Sequence, residues 1–282
     1  MKGRIYSINS GIYHIRENNN DHNISAAGVF RHKDIVPLVG DFVEFEENKQ
    51  ITKILPRKNE FIRPRISNID TIIVVMSIKE PTIKSILIDK YLSIVEEKNI
   101  KPIILLTKSD LGTTDLINQY KKMGYEIYEI SYKTKDWVKN ILEKLNGKTF
   151  ALMGQSGVGK TTIINQITNL NLQTNTISKK ANRGRHTTRI VQIYDIAGGH
   201  LIDTPGFSNI DLFMNKIEFS KSFAMFREIS KQCKFKTCLH EKEPENLCAV
   251  KTAVKNNIIP KFRYDNYIKL LQECEKEWIK NT

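Results

Sequence analysis

Residues Gly154-Gln155-Ser156-Gly157-Val158-Gly159-Lys160-Thr161-Thr162 fit the pattern G-x-x-x-x-G-K-[ST] of a phosphate-binding loop. Glycines let the backbone turn tightly, so that several N–H groups point inward at phosphate oxygens. A helix starting where the loop ends adds the positive end of its dipole. In such a loop Lys160 reaches the β- and γ-phosphates and the Thr161 hydroxyl ligates Mg²⁺. A chance glycine turn is the competing reading. The flanks decide against it: Phe150-Ala151-Leu152-Met153 reads as the end of a buried strand, and Thr162-Ile163-Ile164-Asn165-Gln166-Ile167 as a helix.

Asp203-Thr204-Pro205-Gly206 follows the apolar Leu201-Ile202. A carboxylate at that strand tip would hold Mg²⁺ through water, and the Gly206 N–H would meet the γ-phosphate. Alone, D-T-P-G reads equally well as an ordinary turn; the upstream phosphate loop gives it weight. Thr107-Lys108-Ser109-Asp110 follows Ile103-Ile104-Leu105-Leu106 and matches the [NT]-K-x-D base-reading motif of GTPases. The Asp110 carboxylate would accept from guanine N1–H and the exocyclic amine, which adenine cannot supply, while the Lys108 stem packs over the base. Rejecting a base that leaves such a carboxylate unpaired gives discrimination on the order of 10⁴-fold. A solvated loop is the plain alternative. Gly184-Arg185-His186-Thr187-Thr188 lies where a mobile loop with a Mg²⁺-ligating threonine belongs, so Thr187 or Thr188 is expected to sense the γ-phosphate. Ser131 follows the strand Tyr125–Ile130, where a guanine-contacting loop belongs, although Tyr132 and Lys133 match that loop poorly. Phe207 stands where many small GTPases carry a water-orienting glutamine. A phenyl ring cannot hold water by hydrogen bonding, so unaided turnover is expected to be slow. His186, or a group from a partner, is expected to orient the water.

Cys233-x₄-Cys238-x-His240-x₇-Cys248 offers three thiolates and an imidazole, a set that suits tetrahedral, structural Zn²⁺. Unligated buried thiols are the alternative. The clustering of all cysteines near the end of a chain expected in the reducing cytosol favours metal over disulfides. Cys274 reads as core on a helical stripe. His14, His22, His32 and His200 lack metal-type neighbours and read as structural or solvated.

These groups must be positioned by three kinds of element. Residues 1–64 read as five short strands, Gly3–Ile8, Gly11–Ile15, Ile24–Phe30, Asp41–Glu46 and Gln50–Leu55, which predicts an oligonucleotide-binding type of barrel. The polar run 17–23 reads as a loop, and Arg57–Arg65 as a linker. From Ile69 strands and helices alternate: Thr71–Ile78, Thr82–Lys98, Pro102–Leu106, Thr113–Met123, Tyr125–Ile130 and Asp136–Leu145, then the phosphate-loop strand and helix. A mostly parallel sheet covered on both faces follows. Ile190–Ile196 and His200–Asp203 read as strands around Ala197-Gly198-Gly199. From Ile217 the chain is helical and polar, with Phe219, Phe223, Phe226 and Ile229 on one stripe and Tyr264, Tyr267, Ile268, Leu271, Cys274 and Trp278 on another. The predicted division is a barrel at 1–64, an α/β nucleotide-binding domain at 65–216 and a zinc-binding helical domain at 217–282.

The 282 residues, 40% of them hydrophobic, suffice for two or three domains. No run approaches the ~20 apolar residues of a membrane span. The start, Met1-Lys2-Gly3-Arg4-Ile5-Tyr6, turns polar too early for a signal peptide, so a cytoplasmic protein is expected; a monomer is expected as well. The net charge of +13 invites an anionic partner, above all nucleic acid. General richness in Lys, Ile and Asn is the bland alternative. Lys179, Lys180, Arg183, Arg185 and Arg189 form an acid-free block that it does not explain.

The order of the motifs is unusual. The base-reading Thr107–Asp110 precedes the phosphate loop, which in an ordinary GTPase comes first. Strand ends can still converge on one crevice after such a reordering. The segment after Gly206 now leads into the zinc-bearing region, so the nucleotide state is expected to reorient residues 217–282 relative to the barrel. With Gly-Arg-His-Thr-Thr, Asp-Thr-Pro-Gly-Phe, Cys-Lys-Phe-Lys-x-Cys-x-His, Val39-Gly40-Asp41 and Arg63-Pro64…Asn68-Ile69-Asp70, nearly the whole chain resembles ribosome small-subunit-dependent GTPase A, a circularly permuted GTPase. The resemblance implies an RNA-binding barrel, a permuted GTPase domain that uses GTP/GDP and Mg²⁺, and a zinc domain. It further implies binding to the small ribosomal subunit and its 16S rRNA late in assembly, with GTP hydrolysis stimulated there. A permuted GTPase acting on the large subunit or another RNA, and an RNA-binding scaffold with little turnover, are the rival readings. Three departures stand out. The His240–Cys248 gap is two residues longer than usual, and Thr107 replaces the commoner Asn, with the expected loss of one loop-bracing hydrogen bond. Gly157 stands where some GTPases carry an Asn used with K⁺, so K⁺ dependence is not predicted.

Overall fold

The computed structural model describes residues 1–26, 30, 35–47, 49–134, 136–174, 191–196, 198–204, 207 and 211–281. Strands β1 (Lys2–Asn9), β2 (Ile12–Glu17), β3 (Asn20–Ala26), β4 (Phe42–Phe45) and β5 (Gln50–Ile54) follow one another spatially as β1-β2-β3-β5-β4. β4 then pairs back onto β1 and closes a barrel. Among the described barrel strands, only β3–β5 is parallel. Alternate residues face inward, as a pleated strand requires: Ile5, Tyr13, Ile15, Ile24, Val43, Phe45 and Ile51 fill the interior. At Gly3 a Cβ would lie 2.6 Å from Ile15 Cγ2 and 2.8 Å from Arg16 O, so the strands cross too closely there for any side chain.

Two expectations are corrected. The polar run 17–23 is largely strand: Glu17 pairs with Asn20, leaving a two-residue turn in which Asn18 takes φ +53, a region asparagine tolerates. Polarity there reflects an outward face rather than a loop. The stretch expected as a linker is folded. Strands β6 (Glu60–Phe61) and β7 (Ile66–Ser67) pair antiparallel, and Val39 bridges to Ile66. Beneath them Asp41, fully buried, accepts from Leu38 N at 2.7 Å, Ser67 Oγ at 2.6 Å, and Arg57 Nε and Nη2 at 2.8 Å each. A buried carboxylate with four donors and a bidentate arginine is fully compensated.

Beyond the hairpin the elements are β8 (Thr71–Ser77), α1 (Ser85–Glu97), β9 (Lys101–Thr107), α2 (Leu116–Lys122), β10 (Glu126–Glu129), α3 (Asp136–Leu145), β11 (Thr149–Met153), α4 (Lys160–Thr174), β12 (Gln192–Ile196), β13 (Gly199–Asp203), α5 (Lys216–Ser220), α6 (Ala224–Ser230), α7 (Ala249–Lys255) and α8 (Lys261–Asn281). They group into two compact units. The first comprises residues 1–72, 133–152 and 159–208. In it β11 and β13 are parallel, β13 and β12 form an antiparallel hairpin, and β12 meets β1 at the pair Gln192–Ser7. The second comprises 73–132, 153–158 and 209–282. There β8, β9 and β10 are neighbours, with β9 and β10 parallel. β8 and β9 are almost wholly buried, which explains their unbroken apolar sequences.

In the second unit α8 docks through polar groups as well as apolar ones. Asn266 Nδ2 donates to Asp89 Oδ2 at 2.8 Å, and the fully buried Arg263 donates to the Tyr125 hydroxyl. Phe219, Phe223 and Phe226 are fully buried, with Phe219 stacked on Tyr267 at 5.4 Å. Among the described residues, no helix is long and apolar enough to cross a membrane.

Candidate nucleotide and metal sites

β11 runs straight into the phosphate loop. Gly154, Gly157 and Gly159 take φ of +156, +82 and +97, conformations that side chains with a Cβ rarely adopt. At Gly154 a Cβ would lie 2.2 Å from Val75 O, so the loop can leave β11 here only through glycine. Val158 is buried and pins the loop, while Ser156, Gly157, Thr161 and Thr162 are exposed and Gln155, Gly159 and Lys160 half-buried. Lys160 and Thr161 open helix α4, where backbone N–H groups lack helical partners. Burial pushes the Lys160 ammonium down to about 8. A phosphate beside it would offset that desolvation.

The boundary between the two units falls inside this loop, after Val158. In the second unit the base-reading motif begins as β9 ends. The buried Thr107 hydroxyl donates to Val158 O at 2.8 Å, so threonine supplies a loop brace where asparagine is commoner. The Tyr132 hydroxyl lies 3.4 Å from the same carbonyl. Lys108 takes φ +56 and donates its ammonium to Glu80 O. A lysine in that region is uncommon and marks a constrained loop. Ser109 N donates to Ile130 O at 3.1 Å, joining the motif to the end of β10. Ser131 Oγ donates to Asp110 Oδ1 at 2.9 Å. The Ser131 segment therefore stands beside the carboxylate expected to read guanine. Tyr132, a poor match by sequence, has a place that only the fold reveals.

In the first unit Asp203 ends β13 and is half-buried, as expected of a carboxylate at a strand tip. Carboxylate, hydroxyl and phosphate oxygens are the hard donors that Mg²⁺ takes, so Asp203 and Thr161 have suitable chemistry. Phe207 is fully buried, its ring 5.8 Å from that of Phe61. His186, Thr187, Thr188, Gly206 and the basic block 179–189 lie outside the described residues.

The ligand atoms of Cys233, Cys238, His240 and Cys248 all lie within 4.8 Å of one another in the second unit. His240 Nδ1 is 3.8 Å from Cys233 Sγ and 3.4 Å from Cys248 Sγ. The spacing and the three-sulfur, one-nitrogen donor set fit a tetrahedral Zn²⁺. His240 holds φ +58 and is fully buried, and desolvation lowers its pKa to about 4. The neutral imidazole that a metal needs is thus the form the site favours. The long His240–Cys248 gap is closed by two charged side chains. Glu243 accepts from Leu239 N at 2.6 Å and Glu241 N at 3.0 Å, while Lys251 Nζ donates to Glu241 O and Glu243 O at 2.6 and 2.7 Å. The Tyr264 and Tyr267 hydroxyls of α8 donate to His240 O and Leu239 O, both at 2.6 Å.

Comparison with known proteins identifies the family. The RsgA GTPase family model matches residues 54–213, and the RsgA N-terminal domain model residues 2–53. The chain belongs to the RsgA GTPase family. It is a GTP hydrolase. The small ribosomal subunit biogenesis GTPase RsgA of Mycoplasmopsis agalactiae is 61% identical over 98% of this chain and 99% of its own length. That of Mycoplasmopsis pulmonis is 44% identical over 98% of this chain and 100% of its own. Among solved structures, YloQ, a circularly permuted GTPase, aligns with a TM-score of 0.77 at 34% identity, covering 98% of this chain and 95% of its own. YjeQ from Thermotoga maritima aligns with a TM-score of 0.77 at 29% identity, covering 97% and 98%. The late phosphate loop and early base motif are therefore the order of a circularly permuted GTPase.

Proposed function

We propose that this chain is a cytoplasmic, monomeric GTPase that binds the small ribosomal subunit late in its assembly. On the subunit it hydrolyses GTP to GDP and phosphate, and the change of nucleotide releases it. In this reading Asp110, Lys160 and Asp203 hold one guanine nucleotide with one Mg²⁺, the barrel at 1–64 and the basic block at 179–189 meet rRNA, and the zinc-binding region at 217–282 responds to the nucleotide. The observation that carries the nucleotide assignment is the Thr107–Val158 hydrogen bond, which ties the base-reading motif to the phosphate loop within one unit. The relatives' naming as small-subunit biogenesis GTPases supports the partner.

Bound Mg²⁺ would neutralise charge developing on the phosphates. The chain's own work is to cradle phosphates with loop N–H groups, fix the base through Asp110 and Ser131, and place Lys160 at the transferred group. His186 would orient the water, since Phe207 cannot. The experiment is sedimentation with purified small and large subunits in a GTP analogue, alongside GTP turnover with and without each. Small-subunit binding with at least about tenfold stimulation is expected, a modest share of the several-thousandfold that catalytic groups supplied in trans can bring. Stimulation by large subunits or by neither would overturn the partner assignment. Stimulated turnover left intact in His186→Ala would remove His186 from that role.

A further inference from the structure

Asp203 and Phe207 bracket the residues expected around Mg²⁺ and the γ-phosphate, and both are held by the body that contains the barrel. Asp203 pairs with Gln192 across the β12–β13 hairpin, and Gln192 pairs with Ser7 of barrel strand β1. Three residues along the same hairpin, side chains lock the Asp195–His200 pair. Asp195 Oδ1 accepts from the Tyr6 hydroxyl at 2.8 Å and faces His200 Nδ1 at 2.7 Å, while Oδ2 accepts from Arg16. The Arg16 guanidinium also lies over the Tyr6 ring, 4.2 Å from its centre. Burial alone would raise the Asp195 pKa, but bonds to His200 and Tyr6 and the Arg16 charge hold it below the usual carboxylate range.

Phe207 is anchored differently. Its fully buried ring meets Phe61 edge to face, an arrangement favoured by the ring quadrupoles. Phe61 in turn sits on the β6–β7 hairpin, fixed by the Phe61–Ile66 pair, the Val39–Ile66 bridge and the Asp41 cluster. Phe61 is not part of the hydrophobic cluster that fills the barrel. A side chain that cannot orient water is thus held in place through its ring.

We propose that Phe61 and Asp195 are positioning residues for GTP hydrolysis, which set the placement of Phe207 and Asp203 from the barrel side. The proposal rests on the reading of Asp203 and Gly206 as Mg²⁺ and γ-phosphate residues. Misplacing a reacting group by about 1 Å can cost about 100-fold in rate, so the effect belongs in kcat.

The test is steady-state GTP turnover by the full chain without a partner, with thermal unfolding recorded for every variant. Phe61→Leu, which keeps apolar bulk but loses the ring contact, is expected to lower kcat by about 10- to 100-fold and to leave the KM for GTP within about twofold. Phe61→Tyr, which keeps the ring, is expected to recover most of it. Asp195→Asn is expected to raise the half-saturating Mg²⁺ concentration by about tenfold, a change that a loss of stability alone would not produce. Unchanged kcat in Phe61→Leu, or Phe61→Tyr no better than Phe61→Leu, overturns the proposal. Should Phe61→Leu fail to fold, an unshifted Mg²⁺ dependence in Asp195→Asn overturns it. Asp203→Asn separates the two readings: if it abolishes turnover while Phe61→Leu is normal, only this proposal fails. If Asp203→Asn is itself active, both fail.

Discussion

An ammonium that is desolvated before its ligand arrives holds its proton loosely, and Lys160 titrates near 8 for that reason. Bound phosphate favours the charged form, so the pKa rises on binding. Linkage then fixes the sign: nucleotide affinity is fully present below about pH 7 and is lost as pH rises through 8, by about tenfold per unit while the free lysine is neutral. Titration with a fluorescent GDP analogue from pH 6.5 to 9.5 measures this, and a curve flat to 9.5 would contradict it. Lys160→Met should bind weakly with no such slope. Gly154→Ala tests the loop itself. Its Cβ would meet Val75 O at 2.2 Å, so the loop must move by about 1 Å, at a cost of about 100-fold in kcat/KM. A wild-type kcat/KM in that variant would mean that the loop as built here is not the reacting one. Thr107→Val takes the 2.8 Å donor from the Val158 carbonyl and leaves it, among the described residues, the long Tyr132 contact, which should cost about 1–2 kcal/mol of binding or stability.

At the scale of elements, the Cys233–Cys238–His240–Cys248 cluster, which fits one zinc ion, is tied to α8 through the Tyr264 and Tyr267 hydroxyls. Removing the metal would free His240 and Leu239, their acceptors, and loosen α8. One zinc per chain is therefore expected by elemental analysis, and chelation should raise amide exchange across 261–274 while leaving barrel strands 2–26 protected. Exchange that rises equally in both would show that the cluster does not act locally. That these four side chains cluster was legible because metal chemistry restricts residue type and spacing to a few combinations. Helix α3 was legible to its ends, Asp136 and Leu145, because its apolar residues Trp137, Val138, Ile141 and Leu145 keep one helical face. The β2–β3 hairpin was not, since an outward-facing polar strand looks like a loop when read locally. The β6–β7 hairpin was hidden for another reason. What folds it is Arg57 on Asp41, a contact between residues that no local pattern connects. The Tyr6–Asp195 bond spans 189 positions and was out of reach in the same way.

For the molecule as a whole, the quantity that matters is charge. A net +13 far exceeds what a nucleotide site needs, which in this reading is Lys108, Lys160 and one bound cation. A partner that presents many phosphates would account for it, because each neutralised phosphate releases a condensed counterion and makes association salt-dependent. If rRNA is that partner, affinity for small subunits should fall by about 10³-fold or more between 50 and 200 mM salt, the range for proteins contacting six or more phosphates. Intrinsic GTP turnover should change by less than about twofold over the same range, since Lys160 is half-buried and short-range contacts are screened weakly. Replacing Lys179, Lys180 and Arg183 together by Ala should flatten the salt slope by about two to three, near one for each lost phosphate contact. A slope unchanged in the triple variant would move the contact surface away from that block. Subunit binding insensitive to salt would leave the excess charge without a role in recognition.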